Sequence, residues 1–240
     1  MNMKKYYKSL TKKEFYFRLI LLGLTEAFAL FSIVYLALNA SVDRLLLAII
    51  YLFLALFPSL IELVTKRRLS YPFYLFLSLY MVAVLLGHSY RFYDEFFWWD
   101  SMLHACGGFT IALLATYFMD FLNKPNKSTI LVKLFFGISM ALALSVLWEF
   151  IEYGCDHLLK TDMQKDCWVN SIHSYFLGDG KTVGSIEDIV IVSINGRFLP
   201  GYLDLGLTDT ILDLAMALLG AIVYSLILLI DRRKHPAIRK

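Results

Sequence analysis

Apolar residues come in six long blocks separated by short polar stretches, not as the one-sided stripe of a helix lying on a soluble core. The blocks run Phe15–Leu38, Leu45–Val64, Pro72–His88, Met102–Leu122, Ile130–Ile151 and Asp209–Ile230. Each is near the 17–25 residues that cross about 30 Å of hydrocarbon. The first block is too long for a signal peptide, and no small-x-small cleavage site follows it. The pattern predicts an all-α integral membrane protein with six transmembrane helices. Residues 1–240 form one membrane domain, with a basic N-terminal segment 1–14, a long loop 157–207 and a basic tail 231–240.

Composition agrees with this. The chain is 59% hydrophobic and 18% charged, and its mean hydropathy is +0.62. A soluble domain has roughly 45–50% apolar and about 25% charged residues. Charge then sets the orientation. Lys4, Lys5, Lys8, Lys12, Lys13 and Arg18 precede the first block, and Lys66, Arg67 and Arg68 follow the second. Lys124, Lys127 and Lys133 lie between the fourth and fifth, and Arg232, Arg233, Lys234, Arg239 and Lys240 end the chain. All seventeen fall on the side that holds both termini, which the positive-inside rule places in the cytoplasm. The long loop is then an outer loop. Acids gather on that opposite side, from Asp94, Glu95 and Asp100 to Asp204, Asp209 and Asp213. Topology and anionic lipid account for the basic clusters, so the expected partners are membrane lipids and no nucleic acid.

Ionisable groups inside membrane-length blocks are the candidate chemistry, because each is costly unless paired, hydrated or bound to an ion. Glu149, Glu152 and Asp156 share one face at the end of the fifth block, with His157 adjacent. Asp100 and His104 sit at i,i+4 opening the fourth, above Gly107, Gly108, Ala112 and Ala115. Asp209 and Asp213 open the sixth in the same way, above Ala217, Gly220 and Ala221. Small residues let helices approach closely, so these seams predict that the polar groups meet. Glu26 lies alone in the first block, whereas Glu62 stands at i,i+4 to Lys66 and predicts an ion pair. Ser89–Trp99 reads as an interfacial aromatic belt, and the long loop as a lid or cap on the membrane surface. Cys155 and Cys167 share the loop side, where a disulfide is open to them, and Cys106 reads as a packed thiol.

Three readings remain open on these residues. One is a divalent-metal site with ligands His104, Glu149, Asp156, Asp209 and Asp213, and Glu149, Glu152 and His104 as catalytic groups. Asp100, Glu26 and His157 support it, and the substrate is a lipid-linked or cell-envelope molecule. The second is a small-solute or proton-coupled transporter that uses the acids and Glu26 as a relay. The third is a structural polar network between helices. No HExxH, GxSxG or Walker pattern occurs.

Trp99-Asp100-x-x-x-His104 with Gly107-Gly108, Trp148-Glu149-x-x-Glu152-x-x-x-Asp156, Thr161-Asp162-Met163-Gln164, Gly201-Tyr202-Leu203-Asp204 and Asp209-Thr210-x-x-Asp213 with Gly220-Ala221 together resemble the YjdF-like family. More distantly, the order of acids and His resembles VanZ-like proteins. The resemblance covers roughly Trp98 to Ala221 and implies a multi-pass protein of the bacterial inner membrane without an assigned activity. Ala217 stands where the family pattern often has a further Asp or Asn.

Overall fold

The computed structural model describes residues 10–39, 42–65, 67–122, 129–230 and 238–239. Lys4, Lys5, Lys8, Lys66, Lys124, Lys127 and Arg232–Lys234 lie outside these residues. Thr11 and Glu14 form a capping box that starts helix α1 (Lys12–Asn39): the Glu14 carboxylate accepts from the Thr11 N–H, and the Glu14 N–H donates to the Thr11 hydroxyl. The second block breaks into α2 (Val42–Leu54) and α3 (Phe57–Thr65), which together make one span. Pro58 causes the break. It has no N–H for the Leu54 carbonyl, and its ring presses on that group.

After the short strand β1 (Arg68–Leu69) come α4 (Tyr71–Ser89), the one-turn α5 (Phe92–Glu95), α6 (Trp99–Leu122) and α7 (Ile130–Leu159). Helix α8 (Leu207–Ile230) follows the long loop. Among the described residues, six helical segments are long and apolar enough to cross a membrane. Their outward faces carry Leu24, Phe31, Phe135, Leu147 and Phe150 in the open. That is sensible only with lipid as the solvent. The protein is therefore a multi-pass membrane protein whose surface sits in lipid.

Packing divides the bundle into two parts joined by α4. Helix α1 packs on α2 and α4, while α6, α7 and α8 pack on one another. Leu77, Leu113, Ala141, Ala221 and Tyr224 fill the second core. At one end, Arg18 donates to both Glu62 oxygens (2.9 and 2.7 Å) and to the Leu69 carbonyl. Glu62 thus pairs with Arg18 across two helices; the Lys66 partner expected from spacing lies outside the described residues. The same end holds the antiparallel pairing of β1 with β8 (Ile238–Arg239), so the described first and last segments meet there.

At the opposite end lies the long loop. It folds into three short antiparallel ladders: β2 (Cys167–Val169) with β7 (Tyr202–Asp204), β3 (Ile172–Ser174) with β4 (Gly184–Ile186), and β5 (Val192–Ile194) with β6 (Arg197–Leu199). Asn195 and Gly196 close the last hairpin with φ of 51° and 81°, the left-handed pair that a type I′ turn needs. Cys106, Cys155 and Cys167 are free thiols.

Candidate functional site

The seams of small residues bring three helices together. A methyl group on Gly108 would collide with the Ala217 carbonyl, and one on Gly220 with the Ala105 carbonyl. Gly137 of α7 leaves room for Thr116 and the Ala112 carbonyl. At the far end of the seam, Thr116 and Tyr224 hydroxyls bond at 2.6 Å. Backbones this close carry side chains one turn away into contact. His104 lies one turn before Gly108, and Asp213 one turn before Ala217. The buried stripe of α7 runs Leu134, Gly137, Ala141, Ser145, Glu149, Glu152 at helical spacing, so both glutamates face inward.

At 1.5 Å per residue α7 is about 45 Å long, more than the about 30 Å of hydrocarbon, and Glu149 and Glu152 lie toward its long-loop end.

Two sets of ligand atoms result, each within 4.8 Å of one another: Asp100, His104 and Asp213, and Glu149, Glu152 and Asp213. Asp213 belongs to both. Glu149, Glu152 and Asp213 are 5, 5 and 2% exposed. Trp148 donates its indole N–H to Glu152 Oε1 at 2.7 Å. Both Glu149 oxygens, Glu152 Oε2 and Asp213 Oδ2 are buried without a hydrogen-bond partner. Thr210 and Gln164 are the polar neighbours of Glu149, and Gln164 donates its amide N–H to the Thr210 hydroxyl oxygen at 2.6 Å. Buried carboxylate oxygens are nearly always satisfied, so four orphans in one place call for an explanation.

His104 Nε2 lies 3.5 Å from Asp100 Oδ1 and 3.4 Å from Asp213 Oδ2, longer than a formed N–H···O bond. Asp100 Oδ2 accepts from Lys165 Nζ at 2.8 Å. Lys165 comes from the long loop and also lies 4.5 Å over the Tyr93 ring. Burial, followed by the nearby Asp100 carboxylate, pushes the Tyr93 hydroxyl well above the usual phenol value, so it stays protonated. Gly87 makes space for that ring, and the Tyr93 hydroxyl faces His88 Nε2 at 3.4 Å.

The other expected site residues are placed elsewhere. Asp156 accepts from the Thr161 hydroxyl and from the Met163 and Gln164 N–H groups, at 2.7, 2.7 and 2.8 Å, and so ties down the start of the loop. Asp209 accepts the Lys165 N–H at 3.0 Å. Both carboxylates help hold the 161–165 strap, and neither belongs to a ligand set. His157 is stacked on Tyr153 on the exposed side of α7. Glu26 sits on α1 beside Tyr51, in the other part of the bundle. The spacing of residues did not point to Lys165 or Tyr93; the signal nearest to them was Thr161-Asp162-Met163-Gln164, whose backbone holds the strap.

No curated protein and no solved structure matches the chain. A family model does, over residues 19–234, which takes in most of the first span, the other five and every residue of both ligand sets. The chain therefore belongs to the family described as predicted membrane protein (DUF2238).

Proposed function

We propose that Glu149, Glu152 and Asp213 hold a divalent cation at the long-loop end of the bundle. The orphaned buried oxygens carry this reading. Two ionised carboxylates no more than 4.8 Å apart repel by at least about 3–4 kcal/mol at an effective dielectric constant near 20. Three such pairs need a counter-charge. A cation satisfies all of them at once, and carboxylate oxygens suit a hard or borderline ion.

Such an ion supplies a Lewis acid and an activated water. The basic residues at the opposite end orient this site outward, in the inner membrane of a bacterium, in line with the YjdF-like resemblance. Trp148 and Phe150 stand exposed on α7 beside the glutamates, so a substrate could arrive from the bilayer edge. The reading is a metal-dependent enzyme acting on a lipid-linked or envelope substrate. The structural-network alternative fits Asp156, whose two oxygens both accept hydrogen bonds, but leaves the orphaned oxygens unexplained. The relay alternative is disfavoured by Ala112, Leu113, Ala141 and Ala221, which fill the trio on the side of the site facing the other end.

The test is thermal. A ligand that binds only the folded state stabilises it by RT ln(1 + [L]/Kd), about 2.7 kcal/mol at a hundredfold excess over Kd. A chelator should lower the melting temperature of the purified protein, and added metal should restore it. Glu149→Gln should shift less than the wild type when chelator is added. An unmoved wild type would end the proposal.

A further inference from the structure

His104 and Asp100 have no part in that first ion, yet with Asp213 they form a second set of the same size. We infer that the site takes two divalent cations bridged by Asp213, the second one on Asp100 and His104; this rests on the reading above.

Three observations converge. The first is dimension. An octahedral ion with bonds of about 2.0–2.1 Å has ligands roughly 2.9 Å apart when adjacent and 4.2 Å when opposite. Ligand atoms within 4.8 Å of one another close on an ion by shifts of a few tenths of an ångström. Paired catalytic ions stand about 3.5–4 Å apart, which a bridging carboxylate spans. Asp213, at 2% exposure, is the most buried residue of the group and belongs to both sets.

The second is occupancy of the donor atoms. His104 Nε2 faces Asp100 Oδ1 and Asp213 Oδ2 at 3.5 and 3.4 Å, aimed at both and bonded to neither. Asp213 Oδ2 is itself buried and unpartnered. The Asp100 carboxylate is divided: Oδ2 takes the Lys165 ammonium at 2.8 Å, while Oδ1 is left toward His104. A ligating carboxylate held on its other oxygen by a fixed donor is the usual outer support of a metal site.

The third is charge. Asp100, Glu149, Glu152, Asp213 and the neighbouring Asp209 contribute five negative charges if ionised, and the Lys165 ammonium offsets one. Two divalent cations balance the remaining four. The donor sets also differ in kind: three carboxylates for the first ion, and two carboxylates with an imidazole for the second. Manganese(II) tolerates both and is the probe of choice.

The experiment uses the full chain in detergent, stripped by chelator, reloaded with Mn2+ and desalted. Metal per chain is measured by mass spectrometry, and the same samples are read by low-temperature electron paramagnetic resonance. The expected result is two Mn2+ per chain with an exchange-coupled spectrum. His104→Ala should retain one, with the six-line signal of an isolated ion, and Glu149→Gln should also retain one. Asp213→Asn should lose the coupling. If His104→Ala does not elute as a single folded species, Asp100→Asn reads the same set. One isolated Mn2+ in the wild type would overturn the bridged pair while leaving the first ion standing, with His104 free to act as a base. Two ions that survive both His104→Ala and Asp100→Asn would overturn the second set. No bound Mn2+ would overturn both readings.

Discussion

Gly108→Ala tests whether close helix contact builds the site. The new methyl carbon would lie 2.8 Å from the Ala217 Cα and would overlap the Ala217 carbonyl oxygen. Ordinary carbon contacts are about 3.5–4.0 Å, so α6 and α8 must part by roughly 1 Å. Overpacking of this kind costs about 1–3 kcal/mol. Against it stands the gain of about 1 kcal/mol when glycine becomes alanine within a helix. Gly23→Ala is the control, because a methyl there meets nothing within 4 Å. Both variants share the propensity gain, so their difference isolates the overlap. For a chain of this size, about 1–3 kcal/mol corresponds to a difference in melting temperature of roughly 2–12 °C. The same parting carries His104 from 3.4 Å to beyond 4 Å from Asp213. Chelator sensitivity should therefore shrink in Gly108→Ala and persist in Gly23→Ala. The reasoning is refuted if the two variants melt together and bind metal alike.

Three further outcomes follow from other parts of the molecule. Arg18→Met leaves the Glu62 carboxylate buried without its guanidinium, and should destabilise by about 3–5 kcal/mol; the double variant Arg18→Met/Glu62→Leu should recover much of this in thermal melts. In the long loop, the N–H groups of Thr182 and Lys181 and the Thr182 hydroxyl hold Asp179 at about 2, below the usual aspartate value of 3.8. That contribution is present above the ordinary value and lost as pH falls toward 2, so amide protection of Lys181 and Thr182 should be flat from pH 8 to 5 and decline below 4. Asp179→Asn should lack that decline. Cysteine placed at Asp179, but not at Asn126, should react with an impermeant thiol reagent in intact cells; the reverse pattern would invert the orientation.

Much of this fold was legible because lipid imposes a simple rule. Apolar blocks of sufficient length must be helices, and Gly108, Ala217 and Gly220 marked the faces where backbones touch. The convergence of Glu149, Glu152, His104 and Asp213 followed from those seams. Spacing could not separate Asp156 and Asp209 from them, since i,i+4 spacing fixes a helix face and says nothing of what a loop brings to it. Backbone N–H groups of Met163, Gln164 and Lys165 decided that question. Nor did local spacing reveal the Arg18–Glu62 pair, which joins residues forty-four positions apart. The β ladders of the loop were hidden for another reason: their strands are only three residues long, too short for an alternating pattern to register.

The most direct test is crystallographic. Crystals of the protein grown with Mn2+ should give an anomalous difference peak within coordination distance of the Glu149, Glu152 and Asp213 carboxylates. The account is contradicted if that position shows no peak and the three carboxylates are found bonded only to one another or to water.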